Sequence, residues 1–134
     1  MTQEEKMLLI KDLSARLPYA VTVEHTSGFR GTLHDITVHH MYDDNDKVYD
    51  AICYTDFFGD EDSVYIEYFK PYLFPMSSMT DEQKRDYQYI TERWMNNPAY
   101  SISDSFDWLN ENHFDYRNLI EKGLALDATG LNIY

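Results

Sequence analysis

The 134-residue sequence has one cysteine, Cys53, and few glycines (five) or prolines (four). A lone thiol forms no intramolecular disulfide, so no covalent staple is available, and a reducing, cytoplasmic compartment is expected. Cys53 reads as a small buried hydrophobe in a strand. No apolar run approaches the about 18 residues that span a bilayer, and Met1-Thr2-Gln3-Glu4-Glu5 carries acids where a secretion signal carries bases. The dispersed glycines exclude a phosphate-cradling loop, and neither a GxSxG elbow nor an HExxH zinc pair occurs. Bases are scarce as well: 11 Lys and Arg face 24 Asp and Glu, a net charge of −13. Phosphate backbones and anionic membranes are repelled by such a surface, so neither direct nucleic-acid binding nor membrane binding is expected. No cofactor or metal is expected either.

Aromatic residues are abundant, with twelve Tyr, seven Phe and two Trp in a chain that is 43% hydrophobic. That composition supplies a core for one domain over residues 1–134. Thr2 and Glu5 form a capping box ahead of a helix from about Gln3 to Leu17, which Pro18 ends and whose Leu9, Ile10, Leu13 and Leu17 share a stripe. Alternation through Tyr19, Val21 and Val23 reads as a strand followed by a Ser27-Gly28 turn. A second strand runs from Phe29 to about Val38, where the odd spacing of Leu33 and Ile36 suggests a bulge. Asp43-Asp44-Asn45-Asp46 reads as a loop, Lys47–Thr55 as a third strand, and Ser63–Phe69 as a fourth. Pro71 and Pro75 keep Lys70–Met79 extended or turned. Thr80 and Gln83 repeat the capping box before a helix to about Met95, and a shorter helix follows Ser103. Asp115 is expected to cap a further helix from Tyr116 to Lys122, with a short strand or ordered tail after Leu124. The fold class is α+β: an antiparallel curled sheet over about 19–70, packed by an N-terminal helix and two or three C-terminal helices.

Several residues are candidates for a site. The string His113-Phe114-Asp115-Tyr116-Arg117 places imidazole, acid and base close together, so His113, Asp115 and Arg117 are the catalytic candidates, set against a capping role for Asp115 and packing roles for its neighbours. Tyr68, Tyr72 and Phe74 flank the proline-pinned segment and could bind a partner, the alternative being core packing. Between Gly31 and Phe69 ten acids face one base, Lys47, and Asp43, Asp44, Asp46, Asp60, Glu61 and Asp62 would form an acidic surface. His34, His39 and His40 near those acids match no metal spacing and read as solvated side chains.

The strings Asp12–Tyr19, Phe69–Thr80 and Phe114–Ala125 together resemble an uncharacterised family of small proteins from anaerobic gut bacteria and their prophages, a resemblance that implies a context and no mechanism. The order helix, Val21-x-Val23, Gly28, Gly31-x-Leu33 is similar to the opening of Sm-like barrels. It implies a small SH3-like or Sm-like barrel without carrying RNA binding across.

Three functions are compatible with these features. The leading one is a non-enzymatic acidic module that binds another protein. The second is a partial nucleic-acid mimic that occupies a DNA-binding host protein. Copying ten base pairs needs roughly twenty charges on one face, and the 24 acids are scattered through the chain, so the mimicry could only be partial. The third is a small enzyme with its site at His113, Asp115 and Arg117.

Overall fold

The structure, a computed structural model, describes residues 1–43, 46–57 and 60–134, and the side chains of 40–49 and 57–62 lie outside that description. Helix α1 (Gln3–Arg16) begins at the expected box, with Thr2 Oγ1 accepting from Glu5 N–H and the Glu5 carboxylate accepting from Thr2 N–H. Its Leu9 and Leu13 are fully buried against the sheet and Ile10 nearly so. Burial of each contributes about 1.5–3 kcal/mol. The helix therefore holds its place by docking, since an isolated helix of this length is marginal in water.

Among the described residues the sheet has seven strands: β1 (Thr22–His25), β2 (Arg30–Asp43), β3 (Asp46–Phe57), β4 (Asp60–Tyr65), β5 (Phe69–Pro75), β6 (Phe114–Asp115) and β7 (Leu126–Asp127). Its order is β4-β3-β2-β1-β5-β6, with β7 also on β5. Strands β1 to β5 pair antiparallel, whereas β6 and β7 join β5 in parallel, so the sheet is mixed. Among the described residues no ladder joins β4 to β5 or β6, and the sheet is open where the Sm-like likeness implied a barrel. The bulge suggested by Leu33 and Ile36 is present, as the β2–β3 register shifts between Leu33 and Asp35.

Two strand boundaries differ from expectation. Asp43 and Asp46, expected in a loop, are paired strand ends, since β2 extends through Asp43 and β3 starts at Asp46. The single strand Ser63–Phe69 is two strands separated by a 3-10 turn, Ile66–Tyr68. The continuation over Lys70–Met79, expected to be extended or turned, is β5, a strand with partners on both sides, followed by a 3-10 turn at Met76–Ser78. Pro71 is tolerated there because it lies opposite Val23, while the Thr26 N–H to Tyr68 C=O bond sets the hydrogen-bonded pairs at Glu24/Lys70. No backbone donor toward β1 is needed from the proline.

Helix α2 (Asp81–Asn96) starts at the Thr80–Gln83 box, and α3 (Ser103–Glu111) packs beside it. Tyr87 stacks on Trp108, and Trp94 Nε1 donates to Ser105 Oγ at 2.9 Å. The fourth helix is absent: 116–122 is a series of turns. Asn118 enters the left-handed region at φ 59°, which a helix cannot accommodate, and so short a segment could not offset its own nucleation cost.

Candidate functional site

Helix α1 places Asp12 and Arg16 one turn apart, and β6 with the residues flanking it, His113 before and Arg117 after, runs past them. Asp12 and Arg16 are both fully buried. Arg16 Nε and Nη2 donate to the two carboxylate oxygens of Asp12 at 2.8 and 3.1 Å, and Nη2 also donates to the Phe114 carbonyl at 2.7 Å. This ties α1 to β6 across the core. A buried pair of this kind needs good geometry to offset desolvation, and the two-pronged fork supplies it. The apolar stripe of Leu9, Ile10, Leu13 and Leu17 does not include Asp12. Its i, i+4 spacing to Arg16 was the available signal.

Arg117 is drawn to the same acid, with Nε 3.4 Å from Asp12 Oδ1. Both guanidiniums lie near the Tyr116 ring, at 5.4 Å for Arg16 and 5.0 Å for Arg117, and the Tyr116 hydroxyl donates to Asn110 Oδ1. Asp115 points elsewhere. Its buried carboxylate accepts from Leu119 and Ile120 N–H at 2.8 and 2.9 Å, capping a turn where the sequence suggested a helix.

His113 has a positive φ of 62° and stacks flat on Tyr134, ring centroids 3.6 Å apart and planes 8° from parallel. Burial, and secondarily the Arg16 charge, lower the imidazole to about 4, so the ring is neutral at pH 7. The Tyr134 hydroxyl accepts from Thr22 N–H at 3.0 Å and donates to the Tyr72 carbonyl at 2.7 Å. It thus sits in the β1–β5 ladder, one step beyond the Glu24/Lys70 pair. Burial pushes this phenol up to about 12. The three catalytic candidates are therefore neighbours with separate partners: His113 on Tyr134, Asp115 on a backbone turn, and Arg117 on Asp12.

The aromatic candidates divide. Tyr72 is 3% exposed, its hydroxyl donates to Glu24 at 2.7 Å, and the Arg30 guanidinium covers its ring. Phe74 is half-buried between Phe114 and Tyr134. Tyr68 alone of the three is exposed, at the rim of a concavity of about 260 Å³ that Glu24, His25 and Lys70 also line. A second exposed aromatic group, which sequence reading missed, lies on the helix layer. Tyr89 of α2 is 66% exposed and Tyr100 of the following loop 42%. Between them lies the Arg93 guanidinium, 5.8 Å from the Tyr89 ring and 4.3 Å from the Tyr100 ring. They border a shallow concavity of about 390 Å³ with Glu92, Asn96 and Asn97. The 16-residue α2 has no fully buried residue at all.

Of the acidic candidates, Asp44 lies outside the described residues, and the side chains of Asp43, Asp46, Asp60, Glu61 and Asp62 lie outside them as well. His34 is exposed at 3.9 Å from Asp56, and His39 is exposed. Among the described residues no group of three His, Cys, Asp or Glu side chains could hold a metal ion, and no helix is long and apolar enough to cross a membrane. No protein family, curated protein or solved structure matches the chain.

Proposed function

We propose that this chain is a non-enzymatic protein-interaction module whose contact surface is the outer corner of the α2–α3 layer. The observation that carries the reading is the exposed Tyr89–Arg93–Tyr100 group on a helix with no fully buried residue. Tyr and Arg dominate binding hot spots because they offer large, stiff area with a polar end. The Arg93 side chain is already ordered, by the two rings and by Asp104 at 3.8 Å, so little rotamer freedom remains to be lost on binding. Ile102 and Phe106 extend the apolar area nearby in sequence, and both are exposed. The partner is a protein with an electropositive surface, because a net charge of −13 favours approach by the opposite sign.

The separate anchoring of His113, Asp115 and Arg117 supports a structural role for that trio over a catalytic one. The test is differential capture from host lysate at two salt concentrations, using the native chain, a Tyr89→Ala/Tyr100→Ala double variant and Tyr68→Ala. A protein held by the native chain and by Tyr68→Ala, released by the double variant and bound more weakly at high salt, is the expected result. Equal retention of every captured protein by the double variant would overturn the assignment.

A further inference from the structure

Strand β4 ends the sheet, and among the described residues β3 is the one strand paired with it. Hydrogen-bond directions fix which of its backbone groups are spare. Leu33 N–H donates to the Val21 carbonyl, so Leu33 faces β1 and the preceding Thr32, opposite Asp56, faces β3. Backbone direction alternates along a strand, so Asp56 faces β2 while Thr55 and Cys53 turn toward their β4 partners Asp62 and Val64. The outward groups of β4 are then those of Glu61 and Ser63 and the Tyr65 N–H. Ser63 and Tyr65 are exposed, and neither outward N–H has a hydrogen-bond partner among the described residues.

Natural sheet edges are guarded by Lys, Pro, a bulge, a very short strand or a covering element. Strand β4 runs six residues in unbroken register with β3 and contains neither Pro nor Lys. The guard written in its sequence is acidic alone: Asp60, Glu61 and Asp62, within a stretch from Val48 to Phe69 that has six acids and no Lys, Arg or His. Such a guard repels a second copy of this chain and admits a strand of opposite charge. The register also sets Glu61 opposite Asp56, for which the one ion-pair neighbour among the described residues is His34 at 3.9 Å. Like charges at facing positions weaken a ladder, and a cation arriving at the free edge relieves them.

We propose that the outer edge of β4 takes up an extended, Lys- or Arg-bearing segment of another protein as an added strand. Main-chain hydrogen bonds to Glu61, Ser63 and Tyr65 supply the affinity, and the acids of the edge select the charge of what pairs there. A cation at the position beside Glu61 lies on the same face of the sheet as Asp56, because facing residues of paired strands point the same way. A nucleic acid has no amide ladder to offer and its phosphates are repelled, so the occupant is a polypeptide. None of these residues belongs to the Tyr89–Arg93–Tyr100 group, so the two surfaces succeed or fail separately.

The experiment titrates the full chain with a capped hexapeptide of alternating Lys and Val, following backbone amide resonances and their hydrogen exchange. Saturable shifts are expected at Ser63 and Tyr65, with new protection of both amides, while Val64, already turned toward Cys53, keeps the protection it had. Binding should weaken as salt rises. The same peptide N-methylated throughout cannot form a ladder and should not bind, and a Glu-for-Lys version should be rejected. Glu61→Lys places a base opposite Asp56, which the fold tolerates, and should weaken binding about fivefold. The Tyr89→Ala/Tyr100→Ala double variant should bind the peptide as the native chain does. No saturable change at Ser63 and Tyr65, equal binding of the N-methylated or the Glu peptide, or loss of binding in the double variant would each refute the edge as the site.

Discussion

Replacing Tyr134 with Phe removes one oxygen and leaves the His113-stacked ring in place, which isolates the hydroxyl that bridges Thr22 N–H and the Tyr72 carbonyl. Each backbone group left without a partner costs about 1–3 kcal/mol when buried, and less where water can reach it. Tyr72 is buried and Thr22 only half-buried, so the first takes the upper part of that range and the second the lower. The summed loss is about 2–3 kcal/mol, or roughly 8 to 12 °C in melting temperature for a domain of this size. Urea unfolding should show a lower midpoint at an unchanged slope, and amide exchange should show lost protection at Thr22. Alkaline pH gives a second reading. The folded phenol ionises near 12 and an unfolded one near 10, so between those values the folded chain holds the extra proton and stability falls as pH rises. The advantage of the native chain over Tyr134→Phe should shrink across that window. A loss below about 0.5 kcal/mol, with Thr22 still protected, would show that the hydroxyl does not carry the β1–β5 junction.

His113 governs the acid side. Its folded value of about 4 lies below the ordinary 6.5, so its stabilisation is complete above pH 6.5 and is lost as pH falls through 4. With the ring only partly buried the effect is about 2 kcal/mol, and His113→Phe should flatten that limb of a stability–pH curve measured by urea unfolding. Asp12→Ala leaves Arg16 buried and unpaired and should cost about 3–5 kcal/mol, with Asp12→Ala/Arg16→Met recovering part of it in the same assay. Cys53 is fully buried and its thiol is pushed up to about 12, so a disulfide thiol reagent at pH 8 should label it on unfolding and not before. Labelling of the native chain at the rate of a free thiol would contradict that placement.

Local rules placed α1, α2 and α3 but also predicted a helix over 116–122, where the chain forms turns. The two capping boxes marked the starts of α1 and α2, since a Thr followed three residues later by Glu or Gln satisfies its own orphan donors without tertiary help. Alternation located β1 but began it too early, since Tyr19 closes a 3-10 turn and Ala20 is left-handed at φ 55°, and the irregular spacing of Leu33 and Ile36 gave away the bulge in β2. Features that depend on distant partners were not legible in this way. Asp12 and Arg16 look like solvent-facing charges until the Phe114 carbonyl, 98 residues from Arg16, accepts from the guanidinium. Tyr72 reads in sequence as either a binding or a packing aromatic until Arg30 and Glu24 close over it. Tyr89 and Tyr100 carried no signal, because exposure depends on what fails to pack against them.

What the sequence determined by itself, then, was composition, charge, the α+β class and the elements whose ends are fixed by neighbouring residues. The parallel return of β6 and β7 onto β5, the burial of the Asp12–Arg16 pair and the insertion of the Tyr134 hydroxyl into the ladder were decided by tertiary structure alone. The physical reason is range: a cap or an alternation is complete within a few residues, whereas a buried charge or a parallel strand is stable only once a remote segment has arrived to satisfy it.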